Sequence, residues 1–177
     1  MKDQMYGEAA EELLESLYIR TVEQGTTGVP TAGIDAAVLT ELHTCGAILI
    51  ESNKIALSGT GIDAGRRVVR RHRLAERLLT DVLGSAETSM HDEACKFEHI
   101  LNDGLEEQIC TLLGHPRVCP HGRPIPDGDC CRRKHVKAEP VIVPLSAAKK
   151  GDAGTIAYIN PTETEILNKL LAMGVVP

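Results

Sequence analysis

The sequence predicts a mainly α-helical protein with one β-hairpin and a short β-rich tail. Only Phe97 and three tyrosines are aromatic among 177 residues, so the core must be built from Leu, Ile, Val and Ala, which suits helices. Apolar residues recur at intervals of three and four in five segments before residue 114, the spacing that places them on one helix face. Strand-like alternation appears around residues 47–57 and again after residue 136.

Two helices and a hairpin are predicted at the start of the chain. Residues 8–24 form the first helix, whose apolar stripe stops at Gly25. Residues 34–44 form the second helix. Residues 47–57 alternate in strand fashion on both sides of a Ser-Asn pair, which indicates a hairpin. The segment 26–33, TTGVPTAG, is predicted to be a loop.

A long helix at 61–83, ended by Gly84, and two shorter helices at 90–101 and 104–113 are predicted next. Their apolar faces exceed what one small core needs, so we expect a symmetric homodimer through these helices. The long helix is also rich in arginine. That face is either solvated and ion-paired or placed for phosphate contacts beside the hairpin. The arginines are Arg66, Arg67, Arg70, Arg71, Arg73 and Arg77.

Side chains that bind transition metals are concentrated in residues 72–99. The first two are spaced i and i+4, and the last three are spaced i, i+3 and i+4, so each group shares a helix face. Thiolate, imidazole and carboxylate together suit a divalent transition metal rather than calcium or magnesium. A solvated ion pair is the alternative for the first two. The six residues are His72, Glu76, His91, Cys95, Glu98 and His99.

A cysteine-containing segment at 114–135 is too rich in proline and glycine for regular structure. Its Cys119, Cys130 and Cys131 could hold zinc or an iron–sulfur cluster. Their spacing matches no C-x2-C knuckle, so unligated thiols are the alternative. Further donors nearby are Cys110, His115, His121 and His135.

The cysteines and the N-terminal sequence predict a cytoplasmic protein. The start, MKDQMYGEAAEELL, lacks the apolar region of a signal peptide, so the six cysteines indicate thiols or metal ligands in a reducing compartment. No apolar run of about 18 residues is present, so no membrane association is expected.

The stretches RRHRLAERLLTDVLG and HDEACKFEHIL resemble the iron- and manganese-dependent repressors of the diphtheria-toxin-repressor family. The resemblance runs from about Arg66 to Pro126. It implies a homodimeric, metal-activated transcription factor that binds a double-stranded DNA operator. The fold implied is mainly α, with a shortened winged helix-turn-helix domain at 1–60 and a helical metal-binding and dimerisation domain at 61–135.

Residues 136–177 resemble the beginning of the SH3-like FeoA module that some family members carry. The sequence PVIVPLSAAKKGDAGTIAYI predicts strand, turn and strand, and ETEILNKLLAMGVVP predicts a short helix followed by the start of a strand. We therefore expect a partial SH3-like segment.

The resemblance also assigns metal ligands. In the family a ligand from the first helix lies six residues before a tyrosine. Tyr18 places that position at Glu12, and manganese-type members add an acid at the position of Glu15; a solvated acidic face is the alternative from the residues alone. The primary set is then Glu12, Glu15, Cys95, Glu98 and His99. The ancillary set is His72, Glu76 and His91, with Glu163 as a further candidate. Cys95 favours Fe(II), and the acidic pair favours Mn(II) as the alternative.

The predicted DNA-binding part departs from the family pattern. The eight residues between Gly25 and Ile34 are too few and too rich in Gly, Thr and Pro for the first helix of a helix-turn-helix. Residues 21–65 hold one base against five acids, a net charge of −4, whereas DNA affinity rests largely on Lys and Arg. The candidate DNA contacts are Thr40, His43, Thr44 and Lys54.

Two other functions are therefore considered. One is a metal-binding or redox-sensing dimer whose DNA-binding domain is degenerate. The other is a metalloenzyme that uses the same ligands. Because the sequence offers no Ser-His-Asp set, phosphate loop or separate general base, we do not expect an enzyme.

Overall fold

The structure, a computed structural model, describes residues 6–84, 87–101, 103–132, 141–159 and 164–177. Its buried apolar side chains form two clusters, one within residues 10–64 and the other within residues 74–125. The mainly helical fold predicted from the sequence is confirmed. In the described ranges no helix is both long and apolar enough to cross a bilayer.

The first cluster is built on two helices. Helix α1 spans Glu8–Tyr18 and continues through a wider, π-type turn at Ile19–Glu23. Helix α2 spans Ala36–Thr44 and begins where the Asp35 carboxylate accepts a hydrogen bond from the Ala37 N–H at 2.7 Å, which satisfies a donor that the helix itself leaves unpaired. Both predicted helices are thus present, and α2 starts two residues later than expected.

A three-stranded antiparallel sheet packs beside these helices, and the last strand in the sequence lies at its centre. Strands β2, Ile48–Glu51, and β3, Lys54–Leu57, form the predicted hairpin. The Ser52-Asn53 turn has φ of 48° and 59°, as a tight two-residue hairpin turn requires. Strand β1, Val29–Pro30, lies in the segment predicted to be a loop and pairs with β3. The segment therefore supplies a short strand in place of the helix it is too short to form.

Helix α3, Gly59–Leu78, continues through a π-type turn at Leu79–Leu83 and ends at Gly84. It joins the two clusters because its first half packs on α1. The backbones of these helices touch: a Cβ at Gly65 would lie 2.9 Å from the Leu14 carbonyl oxygen and 2.9 Å from Tyr18 Cβ. Glycine at this position therefore sets how closely α1 crosses α3.

Helices α4, Glu87–Glu98, and α5, Asp103–Leu112, pack on the second half of α3 around a core that includes Leu74, Leu101 and Ile109. The following segment folds over this core and buries Cys119 and Ile125. It ends in a one-turn helix, α6, at Asp129–Arg132, so the expectation of no regular structure there is wrong over that turn.

The C-terminal part forms helix α7, Thr164–Ala172, as the sequence predicts. The expected strands do not form within the described residues 141–159, whose only regular element is a 3-10 turn at Leu145–Ala147. A strand needs a hydrogen-bonding partner, and an isolated hairpin is at best marginally stable. The partial SH3-like segment is thus not formed in these residues.

Candidate metal centre

Helix α1 contributes two carboxylates to the contact with α3 and α4. Glu11 and Glu15 are one helical turn apart and share a face, and both side chains are largely shielded from solvent. Glu12 projects from a different face and is exposed. Glu11, not Glu12, therefore reaches the body of the protein, and Glu12, the position inferred from Tyr18, stays a prediction as a metal ligand.

Glu11 joins α1 to α3 and α4. Its Oε2 lies 2.8 Å from His99 Nδ1, and its Oε1 lies 2.5 Å from Arg71 Nη2. His99 Nε2 is 3.8 Å from Glu98 Oε1. This Glu98 oxygen is buried and accepts no hydrogen bond from any residue that the structure describes. A buried carboxylate oxygen without a hydrogen-bond donor destabilises the fold, and a bound cation would remove this penalty.

His72 lies at the centre of a second group of donors. Its Nδ1 is 2.5 Å from Glu98 Oε2, 3.8 Å from Glu15 Oε1 and 3.9 Å from Cys95 Sγ. Its Nε2 is 3.3 Å from Glu76 Oε1. Donor atoms of Glu15, His72 and Glu98 lie within 4.8 Å of one another. The structure thus merges the two sets expected from the sequence, because His72 contacts members of both.

The positive charge of His72 stabilises the buried carboxylates around it. Burial disfavours the His72 imidazolium, but hydrogen bonds to Glu76 and Glu98 and the charge of Glu15 outweigh it and raise the pKa of His72 to about 10. Burial raises the pKa of Glu15. Burial also acts to raise the pKa of Glu76, but hydrogen bonds from His72 and Cys119 and the charges of His72 and His121 together outweigh it and lower that pKa. Without metal the imidazolium is therefore a cation among carboxylates, and a metal ion bound to His72 would have to displace its proton. A set of carboxylate, imidazole and thiol donors around the unsatisfied Glu98 oxygen fits a divalent transition metal.

A third group extends from Glu76 into the segment after α5. His121 Nδ1 lies 3.0 Å from Glu76 Oε1, and donor atoms of Glu76, Cys119 and His121 lie within 4.8 Å of one another. Burial raises the pKa of the Cys119 thiol, and the neighbouring Glu76 adds to the effect. In the sequence, the only feature that indicates this group is the C-x-H spacing of Cys119 and His121. His91 belongs to α4, but its side chain and the whole of Glu163 lie outside what the structure describes.

Cys119 is consequently separated from the thiols with which it was grouped. Cys130 and Cys131 instead meet Cys110 and His115, and the four donor atoms lie within 4.8 Å of one another. Burial raises the pKa of Cys110 to about 12. Burial also acts to raise the pKa of Cys131. A backbone hydrogen bond from Gly128, hydrogen bonds with the neighbouring thiols and the charge of Arg70 together outweigh burial and lower the pKa of Cys131.

Several arginines of α3 serve internal contacts, which neither sequence alternative anticipated. Arg70 and Arg73 are buried. Arg73 donates to both Glu23 oxygens at 2.7 and 2.8 Å and to the Pro124 carbonyl. Arg70 donates to the Pro126 carbonyl and pairs with Glu106. These side chains hold α3 to its neighbours and are not available for phosphate contacts.

The candidate DNA contacts Thr40, His43 and Thr44 on α2 and Lys54 on β3 are all exposed. Leu49 and Ile50 on the hairpin are exposed as well, at 52% and 38%. The surface is open to a partner, but Lys54 is the only lysine or arginine among these side chains.

Residues 58–127 match the family model described as the iron-dependent repressor metal-binding and dimerisation domain. This part of the chain is therefore similar to the metal-binding and dimerisation domain of that family. The diphtheria toxin repressor of Corynebacterium diphtheriae is 34% identical over 123 residues, 69% of this chain and 53% of that protein. The iron-dependent repressor IdeR of Mycobacterium tuberculosis (strain H37Rv) is 46% identical over 59 residues, 33% of this chain and 26% of its own length. The chain thus spans about half the length of the first of these relatives.

The fold is similar to solved repressor structures. A manganese-dependent transcriptional repressor in complex with manganese superposes with a TM-score of 0.56 at 28% identity, over 94% of this chain and 78% of that one. The manganese regulator SloR superposes with a TM-score of 0.59 at 20% identity, over 93% of this chain and 78% of that one. At this identity the similarity supports the fold alone.

Proposed function

We propose that this protein is a homodimeric, metal-dependent repressor that binds double-stranded DNA. The observation that carries the proposal is the bridge between Glu11 of α1 and His99 of α4, with Glu15 beside His72. These contacts join the N-terminal helix to the domain that is similar to that of the iron-dependent repressor family. A ligand set divided between two parts of a chain is suited to a metal-controlled change in their arrangement.

The proposed ligands are Glu11, Glu15, His72, Cys95, Glu98 and His99, with Glu76, Cys119 and His121 as neighbours. A bound divalent cation would supply positive charge that the carboxylates could share. Glu11 and Glu15 would then hold α1 against α3 and α4. Because α2 and the hairpin share a core with α1, fixing α1 also fixes the surface carrying Thr40 and Lys54. The fraction of molecules competent to bind DNA would rise accordingly.

We propose Fe(II) as the effector and Mn(II) as the alternative. The Cys95 thiol lies 3.9 Å from His72 Nδ1, and a soft sulfur donor favours Fe(II) over Mn(II). Glu11, Glu15 and Glu98 are hard oxygen donors that suit Mn(II) equally well. The names of the relatives include both metals.

Homodimerisation would cover apolar side chains of the helical body. Leu83, Ile100 and Leu105 are 53%, 68% and 37% exposed, and they belong to or adjoin the α3–α5 region predicted to form the interface. Burying such side chains between identical subunits is favourable, and a two-fold axis would place the two DNA-binding surfaces symmetrically. Sedimentation should show a dimer at micromolar concentration, and Ile100→Glu should shift it toward monomer.

The deciding experiment is duplex binding by the reduced full-length chain at low salt, with and without Fe(II) or Mn(II) under anaerobic conditions. A mixed-sequence duplex measures the electrostatic part of binding, which does not require the operator. Metal should increase the affinity at least several-fold, and Lys54→Ala should weaken it. Lys169→Ala is the matched control, because it also removes one lysine, at an exposed site on α7. A duplex affinity that is the same with and without metal would contradict the proposal.

A second candidate is a metal-binding or redox-sensing dimer that no longer binds DNA. It is favoured by the net charge of −4 over residues 21–65 and by strand β1, which replaces the first helix of the DNA-binding motif. Metal binding without any salt-dependent duplex binding would select this function.

A further inference from the structure

A cluster of three thiols and one imidazole lies apart from the proposed effector site. Cys110 comes from the last turn of α5, His115 from the residues just after it, and Cys130 and Cys131 from α6. The four donor atoms lie within 4.8 Å of one another. The proposed repressor mechanism uses none of them.

Four of the six distances between these donors match the edges of a tetrahedron around one ion, and the other two are below 4.8 Å. Cys110 Sγ lies 3.6 Å from Cys131 Sγ, and Cys131 Sγ lies 3.9 Å from Cys130 Sγ. His115 Nδ1 lies 3.4 Å from Cys110 Sγ and 3.7 Å from Cys131 Sγ. Zinc bonds of about 2.3 Å to sulfur and about 2.05 Å to nitrogen give tetrahedral edges of about 3.8 Å and about 3.6 Å. All four distances are within about 0.2 Å of these values.

The backbone aims His115 into the cluster. Its φ of 56° is in the left-handed region, which costs an ordinary L-residue about 1 kcal/mol or more. The conformation is held by Gly114, which precedes it at φ 71°, and by the hydrogen bond from the His115 N–H to the Cys110 carbonyl at 2.8 Å. This bond closes the end of α5 and keeps Nδ1 facing the two thiols.

Arg70 supplies positive charge beside the thiols. Its guanidinium is buried and donates from Nη2 to Cys130 Sγ at 3.3 Å, while Nη1 lies 3.9 Å from Cys131 Sγ. Three thiolates and one divalent ion leave one negative charge, which a neighbouring guanidinium offsets. Gly128 permits this approach, because a Cβ there would lie 2.7 Å from Arg70 Nε.

We propose that Cys110, His115, Cys130 and Cys131 form a structural zinc site with one Zn(II) per chain. The four protein donors fill a tetrahedral shell, as in sites whose role is to hold a fold together. Donor separations below 4.8 Å leave room for one ion and none for a multi-iron cluster. The site would tie α6 to α5 and so fix the intervening segment, which brings Cys119 and His121 to Glu76.

The test is metal analysis of the untagged full-length chain, purified reduced from medium containing zinc and iron and then dialysed against a mild chelator. One zinc per chain should remain. Cys130→Ser and Cys131→Ser should each lose it, whereas Cys45→Ser, the same change at a thiol on the end of α2, should retain it. His99→Ala should also retain it, which separates this site from the effector site.

A second measurement keeps the test decisive if a variant folds poorly. X-ray absorption at the zinc edge of the wild-type protein should show three sulfur neighbours and one nitrogen neighbour. Peptide mapping after alkylation of freshly lysed cells should show no Cys110–Cys131 disulfide. The proposal would be overturned if the dialysed protein held no zinc, or held iron in its place. It would also be overturned if both Cys130→Ser and Cys131→Ser kept zinc, or if the Cys110–Cys131 disulfide were the main species.

Discussion

Glu11 Oε2 and His99 Nδ1 lie 2.8 Å apart although 88 residues separate them in the chain. Arg71 completes the contact by donating to the other Glu11 oxygen at 2.5 Å. The three side chains come from α1, α3 and α4. Any change in the charge of this group therefore acts on the contact between the N-terminal helix and the body.

Glu11→Gln and Glu12→Gln form a matched pair for testing this contact. The first substitution keeps the size of the side chain but removes an anionic donor, so we expect Co(II) or Mn(II) affinity to fall on the order of tenfold or more. Protection of α1 from proteolysis by metal should be lost as well. Glu12 is exposed, so Glu12→Gln should behave as wild type in both measurements. Equal effects of the two variants would contradict the structural assignment.

Cys95→Ser should remove the thiolate-to-metal absorption band of the Co(II)-loaded effector site. Its Sγ lies 3.9 Å from His72 Nδ1, beside the Glu15–His72–Glu98 group. The thiols at 110, 130 and 131 would give bands of their own, so the titration is performed after those thiols have been saturated with Zn(II). The matched control is Cys45→Ser. A band of full intensity in Cys95→Ser would show that sulfur is not a ligand there.

Much of the fold could be predicted because helical periodicity and terminal glycines are local signals. The helices and the hairpin follow from them, and so does the absence of a helix between Gly25 and Ile34. The ligands on α1 could not be fixed in the same way. The resemblance points to Glu12, but a shift of one residue rotates a side chain by about 100° around the helix. The packing of α1 on α3 brings Glu11 to His99, and for that reason Glu11 is the proposed ligand.

The grouping of the cysteines also depended on tertiary structure. Sequence proximity places Cys119 with Cys130 and Cys131, whereas the structure places Cys119 beside Glu76 and places Cys130 and Cys131 beside Cys110. The arginines of α3 show the same limit. Their spacing indicates a charged face, but burial of Arg70 and Arg73 depends on the carbonyl groups of Pro126 and Pro124.

Arg73→Ala should destabilise the fold by about 2 kcal/mol or more, because it leaves Glu23 and a carbonyl without their partner in a mostly buried setting. The Arg73 side chain is 5% exposed and that of Glu23 is 19% exposed. Arg66→Ala on the same helix is the control: its partner Asp63 is 65% exposed, and such pairs contribute about 0–1 kcal/mol. Urea unfolding measures both, and similar midpoints for the two variants would contradict the prediction.

Gly65→Ala should weaken the crossing of α1 and α3. The new methyl would lie 2.9 Å from the Leu14 carbonyl oxygen and 2.9 Å from Tyr18 Cβ, so the helices must separate. Overpacking of this kind costs about 1–3 kcal/mol, partly offset by the better helix propensity of alanine, about 1 kcal/mol. Because Glu11 and Glu15 reach His99 and His72 through this crossing, metal affinity should fall together with stability.

Gly59→Ala is the matched substitution in the first turn of the same helix, where a Cβ meets nothing within 4 Å. It should leave metal affinity unchanged and stability unchanged or slightly higher, because alanine restricts the unfolded chain. Thermal unfolding with and without Mn(II) measures both quantities for each variant. If Gly65→Ala kept the full metal-induced rise in Tm, close packing of α1 on α3 would not be what delivers the two carboxylates to the metal.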